Sequence, residues 1–329
     1  MAKLAIDTSP GAPDGRLWAV RIVPGEPAPR PLDAPVETGP GWGWIHVDLV
    51  NASARQALLG CDLPPEAVTL LGETDDTPRL LADGDWLAGV LPDFEHAPEQ
   101  EAMKTGVWRF FLRERLLVTA RRQPLRGIHD VWRRVSGGEL PVRAEVAFQR
   151  VRRAFLEEAA RLAGVLQTEL DRVEDDLLET EGRARRQARA GAALGRVRAR
   201  ITRLHRATKP LARLTLESNA PGWLDASGMD ALQRRTLAVL DDLGAVQDRS
   251  HALQDELNAR QNEETNRRLY ILSVATVVLA PTTLITGFFG MNTGGLPWTQ
   301  LPHGTALATG LLVGCVAFVL WMLRRAGML

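Results

Sequence analysis

Three aspartates, Asp241, Asp248 and Asp255, recur at intervals of seven. Stepping on by threes and fours from Asp255 meets Ala259, Asn262, Asn266, Leu269, Ser273, Thr276, Ala280, Thr283, Gly287 and Gly290. At 3.6 residues per turn these positions share one stripe of a helix. The stripe carries carboxylates, then amides, then hydroxyls, then glycines, while Leu240, Leu243, Val246, Leu253 and Leu257 fall largely on the opposite side. Its oxygens suit a cation or the water around one. Heptad spacing is also the signature of helices packed side by side. Several copies around one axis would turn the stripe into a polar path. A plainer meaning stays open from the pattern alone: small residues in a membrane helix serve close packing, and an aspartate row is often a solvated face.

The element that must carry this stripe is long. No proline occurs from Met229 to Ala280. Met229 to Arg268 is charged and leucine-studded, whereas Tyr270 to Phe289 has no charge and about the 20 residues that cross a bilayer as a helix. A single helix over both parts would be on the order of 90 Å long. After Asn292 comes a turn-rich loop without Lys or Arg, then a second apolar span, Thr305 to Leu323. Arg267 and Arg268 precede the first span and Arg324 and Arg325 follow the second, so the positive-inside rule puts both termini in the cytoplasm and the loop outside. Tyr270, Trp298 and Trp321 stand where interfacial aromatics belong. Met1 to Arg16 has no apolar h-region, so no cleavable secretory signal is expected. The expectation is a multi-pass protein of the cell inner membrane with its soluble part in the cytoplasm.

The first 135 or so residues read as a mixed α/β domain. Strands are expected at Leu17 to Val23 and Trp44 to Leu49, and a short helix opens at Pro64-Pro65-Glu66. Hairpins join Arg79–Ala82 to Trp86–Leu91 and Val107–Leu112 to Leu116–Ala120. A helix follows at Ile128 to Val135. From Val142 to Leu216 the pattern is helical and splits by charge. Glu157 to Glu181 holds nine acidic and two basic residues, and Arg183 to Arg213 holds eleven basic and none acidic. An antiparallel hairpin, its acidic arm against its basic arm, is the simplest account, with Gly182, Gly191 and Gly195 as turn points. The expected divisions are an α/β domain over 1–140, a helical hairpin over 141–228, a stalk helix over 229–268, membrane helices over 269–292 and 305–325, and an outer loop over 293–304.

With 40 basic and 40 acidic residues the formal charge is balanced, which argues against nucleic acid as a partner. Cys61 and Cys315 are too far apart in sequence to suggest a disulfide framework or a zinc-site spacing. His46, His96, His129, His205, His251 and His303 are scattered, so no closed zinc site is visible. Asp93-Phe94-Glu95-His96 could bind a metal peripherally, although an exposed loop after a strand is the favoured reading. His303 reads as an ordinary loop residue rather than a ligand or a pH-sensing group. No nucleophile elbow, P-loop or dinucleotide fingerprint is present, so no enzyme is expected.

Gly290-Met291-Asn292, closing the first of two C-terminal membrane helices after a soluble domain and a stalk, resembles the CorA-type metal ion transporter family. The run from Phe288 to Trp298 is similar to the ZntB zinc-transporter branch, whose loop reads GMN-x-GG-(I/L)-P. The acidic residue usual in the magnesium-type loop is absent. The resemblance implies an α+β fold with a cytoplasmic α/β domain, a long helical stalk and two C-terminal transmembrane helices per subunit, forming a homopentameric funnel. It implies zinc as cargo, with other divalent cations as the same-class alternative (magnesium, cobalt or nickel) and proton coupling suggested by the branch alone. A membrane-anchored interaction protein is the alternative of a different class. Implied partners are copies of the chain itself, membrane lipids and divalent cations; no cofactor is implied. Carried over by position, Asn292 would ring the outer mouth beside Gly290 and Met291, and Asn266 would ring the inner mouth. Asp255 would form a carboxylate ring in the funnel, with Asp248 one heptad below it. On the chain's own stripe, apart from the resemblance, Thr283, Thr276 and Ser273 would present neutral oxygens between. Two departures stand out. Ala231, beside Asp230, occupies the position of an acidic regulatory ligand, and the second hairpin arm is strongly basic.

Overall fold

The structure, a computed structural model, describes residues 15–32, 36–96, 103–178, 183–214, 220–291, 296–298, 302–325 and 327. The aromatic and β-branched runs of the N-terminal region form strands β1 (Arg16–Ile22), β2 (Arg30–Pro31), β3 (Trp42–Asp48), β4 (Arg79–Asp83), β5 (Trp86–Phe94), β6 (Thr105–Arg113) and β7 (Leu116–Arg121). They make one sheet in the order β2-β1-β3-β7-β6-β5-β4. The β3–β7 pair is parallel and the others are antiparallel. Both expected hairpins are present. The β4–β5 turn uses Gly84 at φ +50°, a conformation that glycine reaches without a Cβ clash.

Helices cover the sheet on both faces, which is why all nine residues of β5 are buried. Strand alternation assigns the two cores. Ile45 and Val47 of β3 and Leu116, Val118 and Ala120 of β7 pack with Leu58 of α1 (Ala54–Leu59) and Ala67 and Leu71 of α2 (Pro65–Gly72). Trp42, Trp44 and His46 point to the other side, towards α3 (Arg126–Ser136) and α4 (Ala144–Leu178). There Trp132 lies 5.8 Å from Trp44, and Phe148 lies 4.6 Å from Phe110. The short helix α1 and the two-residue β2 had no legible periodicity; α1 forms by packing Ala54, Ala57 and Leu58 inward, and the exposed β2 by pairing with the edge of β1.

α4 and α5 (Arg183–Thr208) are the arms of the hairpin, and an apolar seam holds them. Leu162, Leu166, Leu170, Val173 and Leu177 are buried on α4, and Ala190, Leu194, Val197, Ile201 and Leu204 on α5. These threes and fours are the spacing of an inward stripe. Gly191 and Gly195 lie inside α5 rather than at a turn, and Gly182 is outside the described residues. The charges also divide differently from the expectation. Arg200 of α5 pairs with Glu169 at 2.6 Å, but Asp171 and Glu174 turn to Arg249 of a third helix, at 2.6 and 2.5 Å. The acidic arm thus divides its ion pairs among α5, α3, where Arg126 holds Glu158 at 2.6 Å, and this third helix.

That third helix, α6, runs unbroken from Ala226 to Phe289, 64 residues. It begins two residues before Gly228 because Asp225 turns the chain: its carboxylate accepts from the Ser227 N–H at 3.0 Å and its carbonyl from the Met229 N–H at 3.1 Å. Chain contacts divide the protein within α6, into a unit through Leu253 and a unit from Gln254. In the first unit α6 buries Met229, Leu232, Thr236, Val239, Leu243, Val246, Ser250 and Leu253, a heptad seam of threes and fours. Leu240, expected on that seam, is half-buried at its edge.

The second unit contains the rest of α6 and helix α7 (Gly304–Arg325). Both helices are long and apolar enough to cross a membrane, and the apolar window of α6 is wholly uncovered. Ile271, Leu272, Leu279, Leu284 and Phe288 stand exposed, as do Val313, Phe318 and Trp321 of α7. Apolar surface on this scale needs lipid or another chain over it. Pro281 sits inside α6 and takes one N–H out of the helical ladder, a loss that membrane helices tolerate.

Candidate ion pathway

The stripe from Asp241 to Gly290 is exposed at every one of its positions. Asp248, Asp255, Asn266, Ser273, Thr276, Thr283 and Gly290 all belong to it, and Met291 is exposed just beyond the end of α6. Asn292 lies outside the described residues. Spread along one helix, these side chains cannot converge on an ion. Among the described residues, the stripe of a single copy encloses no site.

The hydroxyls on the stripe have a defined polarity. Thr276 Oγ1 donates to the Leu272 carbonyl at 2.8 Å, and Thr283 Oγ1 donates to the Leu279 carbonyl at 2.9 Å. Their hydrogens are used within the helix, so they turn lone pairs outward. Thr282 and Thr286 bond back in the same way. The Gly290 N–H still reaches the Thr286 carbonyl at 2.9 Å, which makes it the last helical link before Met291. Beyond it, Trp298 stacks on Phe289 with ring centroids 6.0 Å apart.

The chain carries this stripe within a recognisable sequence. The family described as CorA-like Mg2+ transporter protein matches residues 40–325. The chain belongs to that family. As a CorA-family chain it is a metal-cation transporter of the membrane rather than an enzyme. It is 26% identical over 291 residues to the zinc transport protein ZntB of Photorhabdus laumondii, covering 86% of each chain. It is 29% identical over 294 residues to the divalent cation transporter CmaX of Pseudomonas aeruginosa, again with 86% of each covered. The structure of full-length CmaX matches with a TM-score of 0.74 at 26% identity, over 96% of this chain and 99% of that one. The complete CorA magnesium transporter structure from Methanocaldococcus jannaschii matches in fold, with a TM-score of 0.66 at 18% identity, over 95% and 99%.

The other sequence candidates of this CorA-family chain fall in different places. Among the described residues no group of three or more His, Cys, Asp and Glu side chains is arranged to hold a metal. His46 is fully buried, with Nδ1 2.8 Å from Thr119 Oγ1, and burial holds its pKa well below the ordinary value. His251 stands 3.5 Å from Arg198, and the His303 carbonyl accepts from Leu307 in the first turn of α7. Ala231 and Asp230 are both exposed on α6. The pairing of Arg249 with two carboxylates went unread in the sequence. Its signal was the i, i+3 spacing of Asp171 and Glu174 on the face of α4 flanking its seam.

Asp93 corrects an expectation. It belongs to the end of β5, is 1% exposed, and accepts from the backbone N–H groups of Gly127 at 2.9 Å and Ile128 at 3.3 Å. A Cβ on Gly127 would stand 2.9 Å from its Oδ1, so that glycine lets the helix start approach the carboxylate. Burial pushes the Asp93 pKa up to about 7 against these favourable hydrogen bonds. A carboxyl raised in this way adds stability that is fully present below the unfolded value near 4 and lost as pH rises through 7. The unit through Leu253 is expected to lose about 2–3 kcal/mol between pH 5 and pH 8 from this group. Asp93→Asn keeps an oxygen for the two N–H groups and should flatten that fall in denaturant unfolding. Equal pH slopes in parent and variant would refute the assignment.

Proposed function

We propose that the chain assembles as a homopentamer of the inner membrane that carries divalent cations, zinc foremost, through a central path lined by the exposed stripe of α6. The observation that carries this reading is the division of one helix into two faces. The face opposite the stripe is buried against the hairpin through Leu253, while the stripe is uncovered from its aspartates to its last glycine. Five copies around an axis would give the stripe a common lumen.

The polarity of the stripe supports a cation. Water around a cation points its oxygen inward and its hydrogens outward, so the wall must accept hydrogen bonds. Thr276 and Thr283 are acceptors because their own hydrogens are spent on the backbone. Ser273 and the Asn266 and Asn292 carbonyls would continue the same surface. Neutral oxygens suit a divalent ion that keeps its water, because shedding it is costly. Asp255 and Asp248 would gather cations on the cytoplasmic side.

Zinc is favoured by the similarity to ZntB and by the loop after Met291, which lacks a carboxylate. Magnesium, cobalt or nickel is the second reading, favoured by the similarity to CmaX, whose name specifies only divalent cations. The deciding experiment is flux in proteoliposomes for zinc, magnesium and nickel, each with and without a pH gradient. Zinc flux through five-fold particles is the expected result, with a pH-gradient dependence if protons move with it. No flux of any divalent ion would leave only the tether reading, in which the two apolar helices anchor the cytoplasmic domain. A reporter after Leu329 reading cytoplasmic, and one after Gly295 reading external, would support the proposed orientation.

A further inference from the structure

His96 and His129 are 33 positions apart in sequence, and the fold sets their rings side by side with centroids 4.8 Å apart. Both side chains are exposed, so the pair opens to solvent. Each is held by something rigid. The His96 N–H donates to the Pro124 carbonyl at 2.8 Å, and Glu95 forms a β-bridge to Leu125. His129 stands in the first turns of α3, and its own N–H reaches the Leu125 carbonyl at 3.2 Å. The start of α3 is itself fastened by Asp93, buried beneath it. Sequence alone offered the run Asp93-Phe94-Glu95-His96 as a peripheral metal site, with an exposed loop as the favoured reading. In the fold Asp93 is consumed as a helix anchor, and His129 takes its place.

We infer that His96 and His129 form a two-imidazole site on the cytoplasmic domain for a borderline divalent cation such as Zn2+, Ni2+ or Cu2+, with water completing the coordination. Imidazole suits these ions and not magnesium, which prefers oxygen. Two protein ligands with open positions make an exchangeable site, unlike the closed four-ligand sites that build folds. Asp130, next to His129, is the nearby negative group, opposed by Arg133 and Arg121. A weak, readily reversed site is the consequence, the kind that reports metal concentration rather than storing metal. The site does not depend on the pore reading, since it lies wholly in the unit through Leu253.

The test uses the full chain in detergent. Cu2+ electron paramagnetic resonance should show coupling to two nitrogens in the parent, lost in both His96→Ala and His129→Ala. Calorimetric titration with Zn2+ should show one binding event per subunit that weakens about tenfold or more in either variant and that Mg2+ does not displace. The same event should persist in Asn292→Ala, which separates it from binding in the path. A His251→Ala control should keep both signals. The proposal is overturned if the parent lacks the two-nitrogen signature, or if the two variants bind Zn2+ and Cu2+ as the parent does.

Discussion

Asn292→Ala abolishes or strongly impairs zinc flux while the assembled particle stays intact. The expectation follows from the position of Asn292 beyond the last helical link of α6, the Gly290 N–H on the Thr286 carbonyl. There the stripe ends, and the loop beyond offers no carboxylate to replace the amide. An entering hydrated cation would meet amide oxygens first, and an alanine methyl cannot accept its outward hydrogens. A structural role predicts something different. Gly and Asn also terminate helices, and if Asn292 serves only there, the variant should misassemble rather than assemble and fail. Gel filtration or microscopy of the same sample used for flux separates the two. Normal flux through an assembled Asn292→Ala particle would remove Asn292 from ion recognition.

Asp255→Asn lowers flux several-fold at low ionic strength and much less at high salt. Asp255 is the last aspartate of the heptad row before the uncharged span, and it is exposed on the stripe with no ion pair among the described residues. Five such carboxylates around one axis would concentrate cations at the inner mouth. The potential they create is screened over about 10 Å at 0.1 M salt, so the benefit shrinks as salt rises. Asn keeps the size and the oxygen while removing the charge, which makes the comparison one of electrostatics. If the row faces bulk water outside the assembly instead, parent and variant will carry equal flux at every salt concentration. That outcome would reject the funnel role of Asp255 and leave the Asn292 prediction standing.

The sequence by itself determined the elements whose signal is local and periodic. An uncharged run of about 20 residues needs no partner to be read as a membrane span, because its own composition sets its solvent. The α6 register could be followed through Arg268 into the apolar span because nothing in that stretch stops a helix, and both hairpins were legible because their turns sit between alternating runs. The family followed from a short motif in the right place between two such spans.

Tertiary structure decided which surfaces meet. Charge segregation suggested that the hairpin arms neutralise one another, yet the arms are joined by Leu166, Leu170, Leu194 and Val197, and Arg249 of α6 takes two of the acidic partners. A charged side chain is long and can reach either of two neighbours, so composition does not say which it chooses; a buried leucine must face whatever covers it. Asp93 looked exposed because aspartate usually is, but the sheet places its side-chain oxygen where it satisfies two backbone N–H groups at the start of α3. His96 and His129 come together for the same reason: β5 and α3 are neighbours in space, and no spacing along the chain records that contact.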